Sequence, residues 1–213
     1  MNSKVPVAVL ISGRGSNLQA LIEACRDPEF PAEIVKVISN EPDALGIVRA
    51  EAEGIPTVVV SHKGRSRDVF EEILLAHLSD VSFVCLAGFM RVLSPKFLAA
   101  FPERILNVHP ALLPAFPGLH AQRQALQAGV TQTGCTVHIV DSGVDTGPIL
   151  CQGSLAIHTD ETEDQLSERI RKLEHVLLPM SLRWLAEGRV FIEDHRAQVV
   201  LRDGEKRWWV ETD

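Results

Sequence analysis

Apolar runs of two kinds alternate along the first half of the chain. "VPVAVLIS", beginning at Val5, is continuously apolar, the pattern of a strand covered on both faces. Leu18, Leu21, Ile22 and Cys25 then recur at helical spacing. "AEIVKVIS" predicts a second strand and "DALGIVRAEAEG" a helix ended by Gly54. "IPTVVV" predicts a third strand, "SRDVFEEILLAHL" a third helix and "VSFVCLAG" a fourth strand. Ser94 and Pro95 supply an N-cap and a first turn for a helix over "KFLAAF". "RILNVH" predicts a short fifth strand that ends at His109. This alternation predicts an α/β fold of Rossmann-like type, a mostly parallel sheet with helices on both faces. Ligands in such sheets gather at the carboxyl ends of the strands. The turns "SGRGSN", "GFMRV" and "NVHP" all fall there.

The pattern changes in the second half, which predicts mixed strands and a hairpin. "GCTVHIVD" and "GPILCQGSLAI" predict two strands joined by the loop "DSGVDTG". A long helix is predicted over roughly Glu163–Glu187, and the tail "RVFIEDHRAQVVLRDGEKRWWVE" as a hairpin around Asp203-Gly204. No repeat or linker interrupts the chain, so a single domain over residues 1–213 is expected.

Composition narrows the classes. With 213 residues, 46% hydrophobic and 23% charged, the chain has the make-up of a soluble globular protein with a core of useful size. A net charge of -7 and no basic block argue against nucleic acid as a partner, while leaving room for a small anionic ligand. No run approaches the ~20 apolar residues of a membrane span, and "MNSKVPVAVLISGRGS" is a poor signal peptide, so no membrane partner and a cytoplasmic location are expected. Cys25, Cys85, Cys135 and Cys151 form no C-x-x-C pair and are expected as reduced, buried thiols.

Three stretches carry candidate chemistry. The turn Ser12-Gly13-Arg14-Gly15-Ser16-Asn17, between a strand and a helix, is either a structural tight turn or a phosphate site built on helix N–H groups. It is not a dinucleotide fingerprint, because Leu18 stands where the third glycine belongs, and no G-K-[ST] makes it a P-loop. Asn107 and His109, two apart at a strand end, project to one side. An amide donor beside an imidazole suits acyl transfer: Asn stabilises a developing oxyanion, and His donates or delivers a proton. A carboxylate near His109 would raise its pKa and fix its tautomer, and the loop "DSGVDTG" offers Asp141 and Asp145. Spacing alone does not choose between these two, although Asp145 is favoured. His109, His120 and His138 follow no ligand spacing, so no metal is expected.

Together, "ISGRGSNLQALI", "LAGFMRVLSP", "ILNVHPALLPAFPGLH", "GCTVHIVDSGVDTGPIL" and the helix with "RKLEHVLLP" resemble the folate-dependent formyltransferase family, over roughly residues 5 to 190. The early G-S-N turn points within that family to the branch that formylates glycinamide ribonucleotide. The resemblance implies formyl transfer from 10-formyltetrahydrofolate, as cosubstrate, to the primary amine of that ribonucleotide in purine biosynthesis. Direct attack through a tetrahedral intermediate is implied, without a metal. It implies a nucleotide-phosphate-binding half at residues 1–108 and a folate-binding, catalytic half at 109–213.

Position by position, the resemblance gives Asn107 the oxyanion and His109 the role of general acid, with Asp145 raising the pKa of His109 and relaying the amine proton. Gly15, Ser16 and Asn17 would hold the phosphate, Glu174 the ribose hydroxyls. Met90, Arg91, Val92 and Leu93 would border the pterin with Asn107 and the loop Asp141, Ser142, Gly143 and Val144. Arg67 would lie near the glutamate tail. Ala111 and Phe116 stand where serine and tyrosine are common, and Arg171 where other polar residues occur. The remaining readings are a formyltetrahydrofolate hydrolase, a formyltransferase for another amine and a non-catalytic folate-binding module. The protein would act as a monomer or homodimer.

Arg171 is expected to reinforce phosphate binding. Arg171→Ala should raise the Michaelis constant for the ribonucleotide and spare that for folate. Steady-state kinetics with both substrates varied checks this, and unchanged constants refute it.

Overall fold

A computed structural model describes residues 3–210; Met1, Asn2 and the end of the expected tail strand at Glu211 lie outside them. The chain divides into two compact units, Met1–Leu106 and Asn107–Asp213. The division falls two residues before the boundary expected from the motifs.

In the first unit, strands and helices alternate as β1 (Val5–Ile11), α1 (Ser16–Cys25), β2 (Ala32–Ser39), α2 (Leu45–Ala52), β3 (Thr57–Val59), α3 (Arg67–Ala76), β4 (Phe83–Leu86) and α4 (Pro95–Ala100). The strands lie in the order β4-β1-β2-β3, and each neighbouring pair is parallel. Val7 to Ile11 on β1 are fully buried, as a central strand requires, whereas the edge strand β3 is only partly covered. The chain first steps outward from β1 to β2 and β3, then returns past β1 to β4. Right-handed crossovers therefore place α1 and α2 on one face and α3 on the other. The order reverses between β1 and β4, which is where a doubly wound sheet opens a crevice for ligand.

The second unit holds most of β5 (Ile105–His109), then α5 (Ala121–Ala128), β6 (Gln132–Ile139), β7 (Ile149–Ala156), α6 (Glu163–Ala186), β8 (Val190–Glu193), β9 (Arg196–Val199) and β10 (Trp208–Val210). Strands run in the order β10-β7-β6-β5, with β6 and β7 antiparallel and β10 parallel to β7. α6 begins with a capping box between Thr162 and Gln165 and turns Leu166, Ile170, Leu177, Leu178 and Leu182 into the core.

The tail differs from expectation. Its hairpin turns at Asp194-His195, between β8 and β9, and not at Asp203-Gly204. Both turn residues have positive φ, 47° and 62°, a conformation that Asp and His tolerate better than most side chains and that matches the twist of a two-residue hairpin. The segment after Gly204 instead forms β10, and Arg207 ties it down by donating to the carbonyls of Ile149 and Leu150. Helix α5 was not predicted from the pattern. Cys85, Cys135 and Cys151 are buried free thiols, whereas Cys25 is half-buried.

Two glycines let β6, β7 and α6 pack closely. A Cβ on Gly134 would stand 1.8 Å from the carbonyl oxygen of Gly153, and one on Gly153 would stand 3.0 Å from Leu177 Cδ1. Gly134→Ala should therefore cost about 1–3 kcal/mol by overpacking. Thermal unfolding should show it as a loss of several degrees, at about 2–4 °C per kcal/mol for a chain of this size.

Candidate active site

Asn107 and His109 leave β5 on one side, two residues apart, and β6 lies beside them with His138. Asp145 reaches them from the β6–β7 loop, with its backbone at φ 54°. One carboxylate oxygen, Oδ2, lies 3.2 Å from His109 Nδ1 and accepts a hydrogen bond from Gly118 N–H at 2.8 Å. The other, Oδ1, lies 3.6 Å from His138 Nε2. His138 Nε2 is also 3.1 Å from Asn107 Nδ2. Asp145, Gly118, His109, His138 and Asn107 thus form one polar cluster.

Acceptors fix the proton placement. His138 Nδ1 faces the carbonyl of Ile139 at 3.0 Å, so it carries a hydrogen. In the neutral ring Nε2 is then an acceptor and takes one hydrogen of the Asn107 amide. The second amide hydrogen stays available to a ligand. His109 has an acceptor at each nitrogen, Asp145 at Nδ1 and the Phe116 carbonyl 2.8 Å from Nε2. The Phe116 carbonyl places a hydrogen on Nε2.

His109 is 5% exposed, and that burial is the strongest influence on it. Burial disfavours the imidazolium, while the Phe116 carbonyl and Asp145 favour it and His138 opposes it. The result is a pKa below the ordinary value. Asp145 does pull the value up, as expected, but burial outweighs that pull and sets the net direction. Burial also pushes the Asp145 carboxyl up, but the neighbouring His138, the hydrogen bond from Gly118 N–H and the nearby His109 bring it below its usual value.

Proline and polar contacts hold the turn after His109. Thr136 Oγ1 donates to the Ala111 carbonyl at 2.7 Å and accepts from Leu113 N–H at 3.0 Å. Gln152 Nε2 donates to the Leu113 carbonyl at 2.9 Å. Ala111 is fully buried, and Phe116 contributes its backbone carbonyl, so neither needs the hydroxyl usual at its position for the contacts seen here.

The other expected residues fall into separate groups. Asp141 shapes its own loop: Oδ1 accepts from Gly143 N–H and Thr146 Oγ1, and Oδ2 lies 3.4 Å from His195 Nε2. Ser142, Gly143 and Val144 are exposed beside it. On α6, Glu174 is buried, while half-buried Arg171 has no ion pair among the described residues.

In the first unit, Gly15 (φ 71°) caps α1, whose first turn has no acidic residue to offset its dipole, and Ser16 and Asn17 open the helix. Gly46 braces this turn from α2, donating to the Gly13 carbonyl at 3.0 Å, and a Cβ on Gly15 would stand 2.6 Å from Gly46 Cα. Met90 N–H donates to Ser12 Oγ at 2.8 Å across the β1–β4 switch point. Met90, Arg91 and Val92 are exposed, whereas Leu93 is 6% exposed and faces the core, so a ligand would meet its backbone and not its side chain. Arg67 opens α3 and pairs with Glu71 at 3.2 Å.

His138 is the site residue that sequence reasoning passed over, except as a discarded metal ligand. Its signal was a lone imidazole inside the apolar run "CTVHIV". Among the described residues no cluster of three or more His, Cys, Asp or Glu could hold a metal.

The formyl transferase family model matches residues 5–182. The chain is 52% identical over 191 residues to the trifunctional purine biosynthetic protein adenosine-3 of Drosophila melanogaster, covering 87% of this chain but only 14% of that protein. It is 39% identical to the phosphoribosylglycinamide formyltransferase of Escherichia coli, covering 90% of this chain and 92% of that one. A glycinamide ribonucleotide transformylase structure from Symbiobacterium toebii superposes with a TM-score of 0.91 at 44% identity, covering 94% of this chain and 96% of that chain.

The pKa directions fix a pH dependence. His109 lies below its ordinary ~6.5, so as pH falls through that value the unfolded chain takes a proton that the folded chain refuses, and stability drops. The lowered Asp145 carboxyl acts with the same sign, but its contribution is lost only below ~3.9. Urea unfolding at a pH near 7.5 and again near 5.5 should show weaker folding at the lower pH, with a smaller drop for His109→Gln. Equal drops would remove His109 as the source.

Proposed function

Because the chain belongs to the formyl transferase family, we propose that it transfers the formyl group of 10-formyltetrahydrofolate to the primary amine of glycinamide ribonucleotide. The cluster of Asn107, His109, His138 and Asp145 carries this reading. When the amine attacks the formyl carbon, negative charge grows on the formyl oxygen. The free Asn107 amide hydrogen, oriented by His138, donates to it. The same charge favours the His109 imidazolium and so works against the burial that lowers its pKa at rest. Asp145 holds that ring and relays the proton shed by the amine. The folate nitrogen that leaves takes up a proton in return, so none is lost overall.

Binding roles follow the same reading. Gly15, Ser16 and Asn17 hold the ribonucleotide phosphate on the N-terminus of α1, where the dipole is uncompensated. Glu174 takes the ribose hydroxyls and Arg171 reinforces phosphate binding. Exposed Met90 and Val92, at 65% and 62%, offer apolar surface to the pterin, joined by Arg91, the Leu93 backbone and the Asp141 to Val144 loop. Arg67 meets the glutamate tail. All of residues 1–213 serve this one reaction as a single formyltransferase domain, in the cytoplasm; no described helix is long and apolar enough to cross a membrane.

The test is incubation with 10-formyltetrahydrofolate, with and without glycinamide ribonucleotide, followed by absorbance. Turnover that requires the amine supports the proposal; turnover without it shows a hydrolase, and binding alone a folate-binding module. Asp145→Asn should then lose at least about 10²-fold in turnover. Near-parental turnover would remove Asp145 from the mechanism.

A further inference from the structure

Glu71 is a buried carboxylate that no step above uses. It sits one turn into α3 and is 4% exposed. A carboxylate is rarely buried so fully unless its oxygens are taken up by donors. Here the donors come from two segments. Ser94 supplies its backbone N–H to Oε1 at 2.8 Å and its hydroxyl hydrogen to Oε2. Arg67, one turn earlier on α3, supplies Nε to Oε1 at 3.2 Å.

These partners border the surfaces assigned to folate. Ser94 ends the segment that runs through Met90, Arg91, Val92 and Leu93. Its hydroxyl also accepts from Phe97 N–H as the N-cap of α4, so a single rotamer satisfies both α4 and Glu71. The start of the same segment is held by Ser12, whose hydroxyl accepts from Met90 N–H and donates to Asn40. The exposed residues between are thus pinned at both ends by hydroxyl groups. Arg67 is half-exposed, with 48% of its side chain open, and only its Nε is committed to Glu71. The far end of the guanidinium is left to face an anion.

We propose that Glu71 is a positioning residue for the folate cosubstrate, fixing both the Met90–Leu93 strap, through Ser94, and the Arg67 guanidinium. It touches no substrate. One side chain thereby sets the distance between the apolar surface for the ring system and the cation for the acidic tail. This rests on the folate assignments made above for Arg67 and residues 90–93. A purely structural carboxylate would affect both substrates alike, or neither, whereas a positioning residue separates them.

Glu71→Gln keeps the shape and one acceptor, but it cannot accept from Ser94 twice and from Arg67 as well. The expected result is a rise of about ten-fold in the Michaelis constant for 10-formyltetrahydrofolate, the size of one lost charge-assisted hydrogen bond, with that for the ribonucleotide within about two-fold. Ser94→Ala, which keeps its N–H, should give a smaller rise with the same selectivity. Equal rises for both substrates, or none, overturn the proposal. Amide hydrogen exchange gives a readout that needs no folate: exchange at Met90–Leu93 should speed up in Glu71→Gln while β1 stays protected. Parental exchange there overturns the pinning even if the parent protein proves not to use folate, and failure of the parent to bind 10-formyltetrahydrofolate overturns the functional reading alone.

Discussion

The carboxylate of Asp145, 14% exposed and set against two imidazoles, is the contact around which the second unit is arranged. A charge so placed survives only if donors meet it. Gly118 N–H donates to it, and the rings of His109 and His138 stand 3.2 and 3.6 Å away, each arriving from a different stretch of chain. The sequence invests in these approaches. Asp145 itself, Phe116, Gly118 and His120 all have positive φ, which folds the two loops back toward one another. Pro110, Pro114 and Pro117 limit the freedom of the first loop, and Thr136 and Gln152 tie it to β6 and β7. Rigidity is bought before any ligand binds, which is the condition for electrostatic stabilisation without reorganisation.

The first unit applies a related constraint to the backbone. At the N-terminus of α1 the donors of the first turn face no acidic side chain, and the glycine turn approaches α2 too closely for any Cβ at Gly15. Across the sheet's reversal, Ser12 couples that turn to the segment after β4 by a single hydroxyl. At the β1–β4 switch point that hydroxyl joins the glycine turn to the exposed segment Met90 to Val92.

What could be read from the sequence follows from how local each signal is. The strands and helices of the first unit announced themselves because β1 and β4 are buried on both faces and α1 and α3 on one. α5 did not, since its buried stripe is only Ala121 and Ala125 among polar residues. The tail hairpin was misplaced because Asp203-Gly204 is the stronger turn dipeptide, while the true turn uses Asp194 and His195 in a conformation no local pattern marks. The pairing of Asn107 with His109 was legible from period two. Asp145 was favoured as the partner of His109, and it is the aspartate that stands beside it, but spacing alone did not choose it because Asp141 also fits a glycine-rich loop. The sign of the His109 shift was not legible, because it depends on burial contributed by residues remote in the chain.

Asp145 and Glu71 show why two carboxylates drawn away from solvent in one protein need not do the same work. Both accept a backbone N–H, from Gly118 and Ser94 respectively, and both draw donors from a second segment. They differ in what those donors can release. Imidazole can hold one proton or two, so the two rings beside Asp145 are groups whose charge can change. Around Glu71 the donors are a hydroxyl, an amide and a guanidinium, none of which gives up a proton near neutral pH. Geometry alone can pass through such a carboxylate. The chemistry of the neighbours, more than burial, therefore decides whether a carboxylate can take part in proton movement or can only hold its surroundings in register.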